Sequence, residues 1–91
     1  MYWDAERVIP LSDFRIYVEV RNGRKGIFDL KPYLDRGLFR ELRDRVYFEQ
    51  VGIVAGAVCW PNEQDIAPDT LLAELVDLDE TDAVMRSASG R

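Results

Sequence analysis

At 91 residues and 47% apolar side chains the chain makes one small domain, burying roughly 60–65% of its unfolded surface. The absence of histidine and the presence of one cysteine exclude an intrachain disulfide, His/Cys metal sites and the Ser-His and Cys-His nucleophile pairs. The net charge of −5 divides into −2 over residues 1–13, +4 over 14–45 and −7 over 46–91, an acidic balance that argues against direct nucleic-acid binding.

Residues 6–11 read as a first short strand. Pro10 has no N–H for a ladder and keeps that strand at an edge or ends it. Over 14–20, Phe14, Ile16, Val18 and Val20 alternate with Arg15, Tyr17 and Glu19, the pattern of a half-buried antiparallel strand. Asn22-Gly23 is a strong hairpin signal, because both residues tolerate positive φ. The return strand covers 26–30. Pro32 suits the first turn of a helical stretch over 31–34. Gly37 interrupts it, and Leu38, Phe39 and Leu42 continue a short helix over 38–44. Residues 46–48 lead into a second hairpin with strands over 50–54 and 57–60, joined near Ala55-Gly56.

Pro61-Asn62 ends the sheet. Pro68 and Asp69 start a helix whose apolar face is Leu71, Leu72, Leu75 and Val76, with acidic residues at the positive end of its dipole. The charged and then small, polar run over 79–91 reads as a disordered acidic tail behind a domain over 1–78. The expected fold is therefore α+β: a single small domain with an antiparallel sheet of four to five strands and two short helical segments.

The order of these pieces resembles the small bacterial family known as domain of unknown function 2442. The residues that carry the resemblance are the alternating strand over 14–20, Gly23, Asp29-Leu30, Gly37-Leu38-Phe39, Leu42, Phe48, Trp60-Pro61-Asn62, Asp65, Pro68 and Leu71. It spans about residues 7–75. Glu63 stands where the family usually has Gly after Trp-Pro-Asn, which changes the turn, and Leu72 stands where a Tyr often follows the helix Leu. The resemblance implies a compact α+β domain with no established enzyme activity and no catalytic residues. It also implies an origin beside a second small gene, in a pair of which this chain is the antitoxin-like member.

The candidate partner-binding residues are Trp60, Asn62, Asp65, Arg15 and Tyr17. Trp60 either anchors a partner, as Trp does at binding hot spots, or covers the sheet edge against the last helix with its N–H bonded nearby. Asp65 either contacts a partner or caps the turn before the helix. Arg15 and Tyr17 belong to the polar face of their strand and offer a docking surface. Asp65 and Asp69 do not form a general acid/base pair, because Pro68 disfavours a helical Ala67 between them. Asp77, Asp79 and Asp82 lack the glycine and the closing glutamate of a calcium loop.

No catalytic, cofactor or metal residue is expected. The expected function is a non-catalytic protein-interaction domain that masks a small partner protein encoded nearby, the alternative being a small-molecule-sensing module. Self-association is left open. No apolar run approaches the ~20 residues needed to span a bilayer, and the N-terminus lacks the basic-then-apolar order of a signal peptide, so a cytoplasmic location is expected.

Overall fold

Residues 2–78 are described by a computed structural model of the chain. The expected tail over 79–91 lies outside the described residues. In chain order the strands are β1 (Ala5–Pro10), β2 (Arg15–Val20), β3 (Lys25–Asp29), β4 (Gly52–Val54), β5 (Ala57–Cys59) and β6 (Val76–Asp77). They form an antiparallel sheet in the order β1-β2-β3-β6 and a separate two-stranded antiparallel sheet of β4 and β5. Two short α-helices, α1 (Arg45–Phe48) and α2 (Pro68–Glu74), and 3-10 turns at Lys31–Tyr33 and Gly37–Arg43 complete an α+β domain.

The alternation of β2 is realised: Ile16, Val18 and Val20 are buried, and Arg15, Tyr17 and Glu19 are half-exposed on the other face. Pro10 lies on the edge strand, opposite Ile16. Phe14 is the exception to the predicted alternation. It sits in the β1–β2 turn, where Asp13 and Phe14 take φ of 61° and 56°. The turn is closed by the Leu11 N–H donating to the Arg15 carbonyl at 2.8 Å. The Phe14 ring still reaches the core, edge-on to Phe48 at 5.4 Å between centroids.

At the β2–β3 turn only Gly23 takes positive φ, at 100°. Asn22 contributes its side chain, accepting from the Arg24 N–H at 2.9 Å. Gly37 opens the second 3-10 turn rather than interrupting a helix, with φ of 46°. Residues 46–48, expected as a lead-in to the hairpin, instead form the single turn α1. Asp44 caps it, its carboxylate accepting from the Val46 N–H at 3.0 Å. The second hairpin turns through Ala55 and Gly56, with φ of 51° and 81°, the pair of positive values that a tight two-residue hairpin requires.

The fourth strand of the large sheet is β6, paired with β3 through Ile27↔Val76 and Gly26↔Asp77. Val76 therefore leaves the helix face predicted for it and is 57% exposed. The physical reason lies at Leu75, which turns extended (φ −68°, ψ 126°) and ends α2 so that the chain lies along β3. Arg24 holds that junction. Its guanidinium donates to the Leu72 carbonyl at 2.8 Å, the Leu75 carbonyl at 3.1 Å and Asp77 Oδ1 at 2.9 Å, satisfying carbonyls that the helix end leaves open. One core joins both sheets: Ile16, Val18 and Phe28 of the large sheet, Val58 and Trp60 from β5 and its end, and Leu42, Phe48 and Leu71 from the turns and helices. Among the described residues no helix is long and apolar enough to cross a membrane.

Candidate functional site

β5 runs out into the loop Trp60-Pro61-Asn62-Glu63-Gln64-Asp65. The Trp60 N–H donates to the Gln64 carbonyl at 2.9 Å, and the Glu63 N–H donates to the Trp60 carbonyl at 3.3 Å. Three residues thus reverse the chain, with Glu63 at φ of 80° in the position where such loops favour Gly. The returning segment lies beside β5: Asp65 pairs with Cys59, and the Ile66 N–H donates to the Val58 carbonyl at 2.9 Å.

The loop is bolted down from within. Trp60 is 3% exposed, and its indole N–H donates to the Phe48 carbonyl at 2.8 Å. It serves the core and offers no surface to a partner. Gln64 is 2% exposed. Its amide donates to the Leu38 carbonyl and to Glu41 Oε1, each at 2.7 Å, and its carbonyl accepts from the Tyr47 hydroxyl at 2.6 Å. Asn62 adds its side-chain amide to Glu41 at 3.1 and 3.2 Å, and its backbone N–H donates to the Tyr47 hydroxyl at 2.8 Å. Among the described residues every buried side-chain polar atom has a partner. Sequence reasoning missed Gln64, Tyr47 and Glu41. Gln64 reads as an ordinary loop residue between two acids, and only its burial reveals it.

Asp65 is different. It is exposed, and among the described residues its carboxylate makes no hydrogen bond or ion pair. It does not cap α2: the N-cap is Ala67, in extended backbone ahead of Pro68 and without a side-chain cap bond. Instead Asp65 lines a cleft of about 210 Å³ whose other walls include Phe28, Leu30, Tyr33, Phe39 and Ile66. Tyr33 is central to that lining. Its ring lies 6.0 Å from both Phe28 and Phe39, Arg36 stands over it at 4.9 Å, and its hydroxyl donates to Glu74 Oε1 at 2.6 Å. The bond to Glu74 raises the pKa of the Tyr33 phenol above its ordinary value, because it favours the protonated form.

Arg15 and Tyr17 lie elsewhere, on the outer face of the large sheet, away from the core that Phe28 and Leu30 enter. Cross-strand register there aligns Ile9, Tyr17, Ile27 and Val76 in one row. The Tyr17 hydroxyl donates to Glu19 at 2.5 Å, and Arg15 reaches the Ser12 carbonyl at 3.4 Å. The candidates thus divide between two surfaces: Trp60, Asn62 and Asp65 share one loop, and Arg15 and Tyr17 share the sheet face. Cys59 is half-buried on β5 with a free thiol. Among the described residues no group of three or more acidic or Cys side chains converges as metal ligands would.

A family profile described as "Protein of unknown function (DUF2442)" matches residues 5–77. No curated protein and no solved structure matches the chain.

Proposed function

The chain belongs to the DUF2442 family, whose description assigns no activity, and from that premise we propose that it is a non-catalytic protein-interaction domain, the antitoxin-like member of a bacterial two-gene pair. It acts by masking a small partner protein encoded nearby. The observation that carries this reading is the row Ile9, Tyr17, Ile27 and Val76 on the outer face of the large sheet. Among the described residues none of the four is a member of the buried core cluster; Val76 is exposed, and Ile9, Tyr17 and Ile27 are half-buried. Charged side chains flank the row on both sides, Arg7, Glu19 and Lys25 in one register line and Arg15 and Asp29 in the next. An apolar strip inside a polar rim is the layout of a protein interface.

The test is co-expression with the product of the neighbouring gene. The intact chain is expected to co-purify with that product and to suppress its activity. Val76→Glu alters an exposed side chain, so it is expected to leave the thermal midpoint in place while weakening association at least tenfold, about 1.4 kcal/mol. A neighbour that neither binds the intact chain nor is inhibited by it ends the reading. The second reading, a non-catalytic small-molecule sensor, draws on the cleft beside Asp65. Its volume of about 210 Å³ falls short of the roughly 300–1,000 Å³ of most small-molecule sites, which places it behind the first.

A further inference from the structure

The cleft beside Asp65 has no part in the sheet-face contact. Resting on the reading of this chain as an interaction domain, we propose that the cleft is an anchor pocket for one apolar side chain of a partner segment, flanked in that segment by lysine or arginine. Its volume of about 210 Å³ suits a single side chain better than a cofactor. Its walls are apolar and aromatic, and they are held in advance of binding. Tyr33 is stacked against Phe28, tilted against Phe39 and tied to Glu74 on α2. A prearranged pocket lowers the ordering cost of association.

Charge selects the flanking residues. The Asp65 carboxylate stands in the lining without a partner among the described residues. Covering it with an uncharged segment would strip its water and return nothing, whereas a cation beside the anchor replaces that water. The wall that carries Asp65, Ile66, Ala67 and Thr70 belongs to residues 46–78, which hold six acidic side chains and no lysine or arginine, so on that side of the cleft a basic flanking residue is favoured over an acidic one. Arg36 stands over the Tyr33 ring on the opposite wall and keeps its positive charge, so the basic flanking residue is placed on the Asp65 side of the cleft.

The experiment titrates the isotope-labelled full chain with acetyl-Arg-Phe-Arg-amide and follows its backbone amide signals. Shifts are expected at Phe39, Ile66, Ala67 and Thr70. Acetyl-Glu-Phe-Glu-amide and acetyl-Arg-Gly-Arg-amide are each expected to bind more weakly. Asp65→Asn, a change at an exposed side chain, is expected to weaken the basic peptide about two- to fivefold, the size of an exposed ion pair. Equal binding of the basic and acidic peptides, or shifts spread over the surface instead of the cleft, would overturn the proposal. So would binding that Asp65→Asn leaves unchanged. If the peptide fails while the neighbour's product still binds in a Val76-dependent manner, only the anchor pocket is lost. If the peptide binds while that product does not, the antitoxin-like reading is what fails.

Discussion

Glu63 holds a backbone conformation that its own side chain opposes. At φ of 80° a Cβ crowds the neighbouring carbonyl, and a non-glycine residue there costs on the order of 1–3 kcal/mol. The chain tolerates it because the positions on either side are locked, Asn62 to Glu41 and Tyr47, and Gln64 to Leu38, Glu41 and Tyr47. The departure from the family's usual Gly, visible in the sequence, therefore falls on the one loop position that needs left-handed backbone. Glu63→Gly is expected to stabilise the domain by about 1 kcal/mol, after allowing for the freer unfolded chain, and to raise the thermal midpoint by a few degrees. A midpoint that stays or falls would show that the glutamate side chain contributes more than its backbone costs.

At the scale of elements, the last strand is the least anticipated feature. The seating of β6 against β3 depends on Gly26. A Cβ there would lie 2.2 Å from the Val76 carbonyl oxygen and 2.8 Å from its carbon, both backbone atoms that cannot swing aside. Gly26→Ala is expected to destabilise by about 1–3 kcal/mol, the usual cost of overpacking. Amide exchange should rise first at Ile27 and Val76, which face each other across that pair of strands. Gly52→Ala in β4 is the control: its Cβ would meet nothing within 4 Å, and the change is expected to be neutral or slightly stabilising. Equal tolerance of the two substitutions would contradict the β3–β6 pairing.

For the whole molecule, the two sheets share one core, with Trp60 and Val58 packed in the same cluster as Ile16, Val18 and Phe28. The start of β1 also meets the β4–β5 turn, the Ala5 N–H donating to the Gly56 carbonyl at 2.8 Å. Neither sheet buries its apolar face alone, so unfolding is expected to be a single transition. Far-ultraviolet circular dichroism and tryptophan fluorescence should give the same midpoint in urea. An earlier fluorescence transition in a Trp3→Phe variant, in which Trp60 is the remaining tryptophan, would mean that the small hairpin, with Trp60 at its end, releases before the large sheet.

Local rules were enough for much of this chain. Alternation placed β2 and its buried face, Pro10 an edge strand, Gly23 and Gly56 two hairpins, and Pro68 the start of a helix, because each depends on near neighbours in sequence. The exclusion of His/Cys metal sites and of His-dependent nucleophile pairs is likewise a matter of composition alone. What the tertiary structure decided are the features that depend on distant groups. Val76 left a helix for a strand because β3 offered it an edge and Arg24 took up the carbonyls at the helix end. Gln64 became a core residue because Leu38, Glu41 and Tyr47 together satisfy its amide. Trp60 was turned inward by the carbonyl of Phe48, and Asp65, for which the sequence left a partner contact or a cap on the turn before the helix, faces a cleft because extended backbone at Ala67 carries it away from the start of α2. Burial and hydrogen-bond satisfaction are sums over the whole fold, and no window of neighbouring residues contains them.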